Sequence, residues 1–337
     1  MVSLSISNTI STQDGIRPVN LRTDLAPLAD LIELAFSDTM DNNGRAAVRE
    51  MRTLSRMRPV LHTLLGVNEL VQGISLGYVW VEGGRLVGNV SLYPADIPRK
   101  LGKTWIIANV AVHPDYRGRG IARQLMRVSM DAIRKRGVAA ILQVDADNAI
   151  AEGLYSRLGF RRERAWSHWR RSSTLRIPPP ITNPMFRINR RRDEEWRSEQ
   201  TLAASVRPDV MGGIGWQRPL HEGLFRPSWL KSVNDALNFR SIERLVVRSA
   251  DERDLYGVLW VESAFASSST QLTLMVDPEY AGVCDEALLN LAIRRFGNRS
   301  PLTLEHPADD EITRLLLIRY GFQLQRTLVH MRWDVGA

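Results

Sequence analysis

The chain has one cysteine in 337 residues, Cys284. That excludes an internal disulfide and a thiolate metal cluster, and suits a reducing, cytoplasmic setting. The six histidines fall at no metal-ligand spacing, so no metal is expected. No apolar run approaches the length of a membrane-spanning helix, which gives no membrane partner. Residues 1–13 are rich in Ser and Thr and lack the basic start and apolar stretch of a secretory signal, so they read as a flexible leader. Lysine is scarce, occurring only at 100, 103, 135 and 231, and arginine supplies the rest of the forty-five basic residues.

A net charge of +8 invites a nucleic-acid reading, but the charge is local. Ten arginines and one glutamate fall within 161–192, which leaves the remainder of the chain near neutrality. The same stretch holds Trp166, Trp169, Pro178, Pro179, Pro180 and Pro184, the composition of a last strand that runs into a stiff linker. Two readings stand: a basic aromatic surface for RNA or an acidic partner, and a solvated seam whose arginines meet acidic groups of a neighbouring domain. The confinement of the charge argues against nucleic acid.

What the chain does have is a buried strand that passes through a glycine turn into a helix. Residues 105–112 are almost wholly apolar and rich in Ile and Val, as in a strand covered on both faces. Pro114 ends it. Ile121, Leu125, Val128 and Ala132 then recur at helical spacing among Arg123, Gln124, Arg127, Asp131 and Arg134, and Gly137 is placed to stop the helix. Gly118 and Gly120 leave the turn without Cβ atoms, beside first-turn N–H groups at the positive end of a helix dipole. An anion such as a pyrophosphate fits there.

The segment Arg117, Gly118, Arg119, Gly120, Ile121, Ala122 fits the pattern Gln/Arg-x-x-Gly-x-Gly/Ala, and Val110, Ala111, Val112 and Pro114 lead into it. Residues 148–160 read Asn-x-x-Ala-x-x-Leu-Tyr-x-x-x-Gly-Phe, from Asn148 through Tyr155 to Gly159 and Phe160. With both segments in order, the chain resembles the GNAT superfamily of N-acyltransferases over about residues 14–170. The resemblance implies acetyl-CoA as co-substrate, held by Val110, Ala111, Val112, Arg117, Gly118, Arg119, Gly120, Ile121, Ala122, Arg123, Asn148 and Tyr155. Other elements agree in order: a strand at 17–19, a helix marked by Leu25, Leu28, Ala29, Ile32 and Ala35, a hairpin of 78–82 and 86–92 across Gly83 and Gly84, and a strand at 139–144.

The second half repeats the first. Pro114 and Gly118 recur at a separation of 164 as Pro278 and Gly282, and Leu158, Gly159 and Phe160 recur at 162 as Tyr320, Gly321 and Phe322. The fold class is therefore α/β (α+β): two GNAT-like domains, each a mixed, mostly antiparallel twisted sheet with helices on both faces. The boundaries are 14–170 for a catalytic domain, 171–192 for a basic, Pro-rich linker and 193–337 for a degenerate copy. In that copy Arg117, Arg119 and Gly120 become Ala281, Val283 and Cys284, whose side chain would crowd the phosphate space. Tyr155 becomes Leu317, and Asn148 has no clear counterpart near Asp309 and Asp310.

Acyl transfer to nitrogen sets the remaining expectations. The ammonium must lose a proton before it attacks the thioester. By resemblance, the Val110 N–H stabilises the oxyanion and Tyr155 protonates the departing thiolate. The base is unassigned: the family's usual glutamate is missing from 105–109, and Asp145, Asp147, Glu82, Asp96, His113 and a water relay stand as alternatives. Asp38 and Asp41, with Asp145, are the acceptor-site candidates, since carboxylates receive a cationic amine. The expected reaction is transfer of an acetyl group from acetyl-CoA to a primary amine of a small molecule. Acetylation of a protein or peptide amine, or a non-catalytic acyl-CoA-responsive module, are the alternatives, and self-association is left open.

Overall fold

The computed structural model describes residues 14–37, 40, 42–56, 76–181, 187–229, 239–248, 254–264 and 267–336. The chain divides into two compact units: Met1–Leu142 with Leu154–Phe160 and Arg332–Ala337, and Gln143–Gly153 with Arg161–Met331. Among the described residues no helix is long and apolar enough to cross a membrane, and no cluster of three His, Cys, Asp or Glu could hold a metal ion.

The first unit orders its strands β1 (Gly15–Pro18), β2 (Tyr78–Glu82), β3 (Arg85–Pro94), β4 (Thr104–Val112) and β5 (Ala139–Asp145). All neighbours are antiparallel except β4 and β5, which run parallel. Two helices, α1 (Leu21–Ala35) and α2 (Asn42–Arg56), precede β2, and α3 (Ile121–Arg134) joins β4 to β5. The pleat sends alternate side chains to opposite faces. Val79 and Val81 pack into one apolar cluster with Leu25, Leu28 and Ile32 of α1 and Val48 and Met51 of α2. On the other face, a Cβ on Gly88, which pairs with Trp80, would come within 2.8 Å of Ile121 and 3.0 Å of Leu125 of α3. Gly88 thus sets how closely α3 approaches the sheet. At the start of α1, buried Asp24 accepts from both Arg17 Nη1 (2.6 Å) and Nη2 (2.8 Å), and from the Asn20 N–H (2.7 Å).

The helix α4 (Ala149–Arg157) and the strand β6 (Arg161–Arg171) follow β5. Although the sequence places β6 last in the first domain, it lies in the second unit and pairs antiparallel with β11 (Leu302–Pro307), from Arg171↔Leu302 to Trp166↔Pro307. That unit also contains β7 (Ile188–Arg190), α5 (Trp196–Val206), the short α6 (Glu222–Phe225), β8 (Arg240–Arg248), β9 (Leu255–Ala264), β10 (Thr270–Val276), α7 (Cys284–Phe296), α8 (Glu311–Arg319) and most of β12 (Gln323–Asp334). Its strand order is β12, β6, β11, β10, β9, β8, β7, with β10 and β11 parallel. Alternation again makes two cores. Leu245, Val247, Leu259, Val261, Leu272 and Leu274 pack with Leu288, Leu289 and Ile293 of α7, while Val246, Val258, Trp260 and Met275 pack with Leu202 and Ala203 of α5.

Candidate active site

β4 becomes a site where its regular pairing fails. Its ladder with β3 runs evenly from Pro94↔Trp105 to Ser91↔Ala108, but the next pair is Asn89↔Ala111, so Asn109 and Val110 together oppose Val90. This is a β-bulge, and Asn109 adopts a left-handed φ of +52°. Asn tolerates that conformation better than most side chains. Ala108, Asn109, Val110 and Val112 are each half-exposed although β4 lies between two other strands. Parallel pairing with β5 runs from Thr104↔Ala139 to Ile106↔Ile141.

After β4 a single 3-10 turn, Pro114–Tyr116, leads to two glycines in the left-handed region, Gly118 and Gly120, each at φ +78°. A Cβ on either would meet nothing within 4 Å. Their lack of side chains answers the backbone conformation, and the space in front of the turn is open. Gly120 is the N-cap of α3 and no side chain caps that end of the helix. First-turn amides beside an open space, with Arg117, Arg119 and Arg123 exposed around them, are a receptor for a polyanion. Arg119 lies over the Tyr116 ring and reaches Glu82 at 3.0 Å, which fixes one wall of the turn. Arg117 Nε donates to the Val112 carbonyl at 3.3 Å. The helix is held to the sheet by buried Ile121, Leu125, Met126, Met130 and Ile133.

Tyr155 sits on α4 in the first unit, buried, with its ring tilted against Phe160 at 6.1 Å. Burial pushes its phenol up to about 12, so it remains a proton donor at neutral pH. Gly159, at φ +94°, turns the chain so that Phe160 can pack back, and the Phe160 N–H donates to the Tyr155 carbonyl at 3.0 Å. Asn148 lies in the second unit and caps α4, its Oδ1 accepting from the Ala151 N–H at 3.1 Å. Asp145 is also in the second unit. Burial raises its pKa, and Arg326 opposes that rise. Asp38 and Asp41 lie outside the described residues.

Two of the base alternatives are already engaged. Glu82 faces Arg119, and His113 Nε2 lies 2.8 Å from Arg85. On the other side of the ring, His113 Nδ1 lies 3.3 Å from the Asp115 backbone N–H. The sequence reading overlooked a polar row on the α1–α2 face of the sheet. Asn89 pairs with Val79 and so shares that face, and Ser91 and Tyr93 follow at alternate positions. Asn89 Nδ2 donates to the Asn109 carbonyl at 2.9 Å, and Asn109 Nδ2 reaches Ser91 Oγ (3.4 Å) and Tyr93 Oη (3.5 Å). Polar residues at alternate positions in an apolar strand were the available signal.

The second unit rebuilds the turn with a different ending. Pro278–Tyr280 repeats the 3-10 turn, and Gly282 repeats the positive φ at +85°. The helix then starts at Cys284 without a second left-handed residue. Cys284 does not crowd a phosphate space, as the sequence suggested; its side chain is buried in the core with Leu288 and Leu289. The anion at this turn is the protein's own: Asp285 accepts from the Gly282 N–H at 3.0 Å and from Thr313 Oγ1 at 3.1 Å. Asn148 also has a counterpart after all, since Asp310 caps α8 by accepting from the Thr313 N–H. Between β10 and β11, buried Arg207 donates to the Leu274 carbonyl (2.9 Å) and to His306 Nδ1 (3.2 Å).

The basic stretch is largely engaged within the second unit. Arg162 meets Glu152 at 2.8 Å, Arg164 meets Asp309 at 2.9 Å, Arg190 meets Glu243 at 3.0 Å and Arg191 meets Glu199 at 3.4 Å. Arg171 donates to the carbonyls of Tyr320 (2.8 Å) and Arg176 (2.7 Å).

Known proteins share sequence and fold with this chain. Residues 48–160 match the family model described as the Acetyltransferase (GNAT) family. N-alpha-acetyltransferase 30 of Schizosaccharomyces pombe is 36% identical over 86 residues, which are 25% of this chain and 57% of that protein. The chain spans 57% and 66% of the length of the first curated relatives it matches. Among solved structures, a GCN5-related N-acetyltransferase from Sphaerobacter thermophilus superposes with a TM-score of 0.59 at 16% identity, covering 95% of each chain. A tandem GNAT protein from the clavulanic acid biosynthesis pathway superposes with a TM-score of 0.51 at 16% identity, covering 96% of this chain and 98% of that one. At such identity the likeness is one of fold.

Proposed function

We propose, from a chain whose residues 48–160 form a GNAT acetyltransferase domain, that it moves an acetyl group from acetyl-CoA to a primary amine of a small molecule by direct attack on the thioester. The observation that carries the reading is the open turn of Gly118 and Gly120, which leads an uncapped helix away from the half-exposed, bulged centre of β4. In this reading the first-turn amides and Arg117, Arg119 and Arg123 hold the pyrophosphate, and Val110, Ala111 and Val112 align the pantetheine arm along β4. The amine nitrogen attacks the thioester carbon, and the Val110 N–H receives the negative charge that develops on the carbonyl oxygen. On collapse the C–S bond breaks and the sulfur takes the proton of the Tyr155 hydroxyl. The nitrogen's own surplus proton leaves to solvent, and the Tyr155 oxygen takes one back from solvent, which restores the phenol.

The second unit acts as a non-catalytic copy, because Asp285 already satisfies the turn that would hold a pyrophosphate and Arg207 bridges the strands beside it. We assign the working compartment as cytoplasmic, in keeping with a single buried cysteine. A second reading, acetylation of a peptide amine, draws support from the N-alpha-acetyltransferase relative. Calorimetric titration of acetyl-CoA tests the proposal: one equivalent should bind to wild type and none to Gly120→Glu. Absence of binding to wild type would overturn it. CoA release over a panel of small amines and short peptides separates the two acceptor readings.

A further inference from the structure

The paired strands β3 and β4 carry four uncharged polar side chains in one row. Asn89, Ser91 and Tyr93 stand at alternate positions of β3, and Asn109 precedes the backbone amide assigned to the oxyanion. Asn89 and Ser91 are buried, while Tyr93 and Asn109 are half-exposed, so the row has a floor and an open edge. Its hydrogen bonds are incomplete at one atom. Asn89 Nδ2 donates to the Asn109 carbonyl and toward Ser91 Oγ, which fixes the amide's orientation, and Asn89 Oδ1 is buried with no hydrogen-bond partner. A buried acceptor without a donor carries a penalty of about 1–3 kcal/mol that an incoming N–H group would relieve. Ser91 Oγ and Tyr93 Oη offer further acceptors beside it.

The charged groups on the surrounding elements have partners of their own among the described residues. On α1, which packs on β3 and β4, Asp24 is held by Arg17, and Asp30 and Glu33 by Arg52. On the β2–β3 hairpin Glu82 holds Arg119 and Arg85 holds His113. Burial raises the Tyr93 phenol, which keeps it neutral. Among the described residues, therefore, an ammonium entering this row would lose solvation without gaining a counter-charge, whereas a free amine would gain acceptors at no such cost.

We propose that Asn89, Ser91, Tyr93 and Asn109 form the acceptor-amine site and that this site takes the amine as its free base, which selects weakly basic amines of the α-amino type over alkylamines. The proposal rests on the transferase reading given above. An α-amino group has a pKa of about 7.7–8.0 and an alkylammonium about 10.4, so at pH 7.5 the free-base fractions differ roughly two-hundred-fold. Weaker nucleophilicity of the less basic amine offsets part of that. The expected preference in kcat/KM for alaninamide over n-butylamine is therefore at least about tenfold at pH 7.5.

The test is kcat/KM for alaninamide and n-butylamine between pH 6 and 10 on the full chain, with acetyl-CoA affinity measured on the same samples. The acid limb should follow each amine's own pKa. Tyr93→Phe should raise KM for the amine without changing the Kd of acetyl-CoA. Asn109→Asp, which keeps a residue suited to positive φ, should install the missing charge and move the preference toward n-butylamine by about tenfold, one counter-ion's worth of selectivity. A common acid limb for both amines, a preference for n-butylamine in wild type, or turnover of neither amine by protein that binds acetyl-CoA overturns the proposal. Failure to bind acetyl-CoA overturns the transferase reading, and this inference with it.

Discussion

Gly120→Ala and Gly282→Ala form a matched pair that separates backbone strain from ligand binding. Both glycines have left-handed φ, +78° and +85°. An L side chain there costs about 1–2 kcal/mol, equivalent to a fall in melting temperature of about 2–8 °C for a unit of this size. The surroundings differ. At Gly120 the added methyl meets nothing within 4 Å and stands in the open space before the α3 amides, while at Gly282 it touches Ile312 Cγ2 at 3.4 Å beside a turn whose N–H already serves Asp285. Similar losses of stability are therefore expected from both. Only Gly120→Ala should weaken acetyl-CoA. Losing one charge-assisted hydrogen bond to a phosphate costs about 1.5–3 kcal/mol, a rise in Kd of about 10- to 150-fold. Differential scanning calorimetry gives the first quantity and isothermal titration the second. Unchanged affinity in Gly120→Ala, or an equal loss in Gly282→Ala, would refute the assignment of the first turn as the cofactor site.

Tyr155→Phe keeps the buried ring and removes the acid, so kcat should fall about 10²-fold or more while the Kd of acetyl-CoA by titration stays within twofold of wild type. Burial raises Glu305 to about 7, so the folded state holds a proton that the unfolded state releases, and stability is lost as pH rises from about 4.5 to 7. Buried His306 and His330 contribute with the opposite sign, since burial lowers them to about 4 and about 3. The Glu305 effect is thus read as a difference: Glu305→Gln should gain stability over wild type between pH 5 and 8 in urea titrations, and a pH-independent difference would disprove it. Asp24→Ala leaves Arg17 and the Asn20 N–H without their shared acceptor, and a loss of about 2–4 kcal/mol is expected by chemical denaturation.

The two turns were readable because their residues follow one another in the chain. Gly118, Gly120 and Gly282 announce left-handed backbone locally, and the structure realises it at all three. The polar row was not readable in that way. It joins β3 to β4 across a bulge, and nothing local fixes that Asn109 and Val110 oppose one residue. Cys284 shows the same limit from the other side: a substitution read as blocking a phosphate instead turned into the core, because α7 begins one residue earlier than α3 in the repeat register. Nor does the position of Asp285 in the first turn of α7 reveal that its carboxylate takes the Gly282 N–H. The partner of β6 was equally hidden, since a strand's sequence specifies its faces and not its neighbour.

The pairing of β6 with β11 has a consequence measured in time. Arg171 meets Leu302 and Trp166 meets Pro307, so the partner strand leaves the ribosome more than a hundred residues after β6 does. At about 5–20 residues per second, β6 waits on the order of ten seconds with an edge that carries Trp166 and Trp169 unprotected. Arg161, Arg162 and Arg164 at one end and Arg170 and Arg171 at the other surround those tryptophans with like charge. Such flanks oppose edge-to-edge pairing between nascent chains.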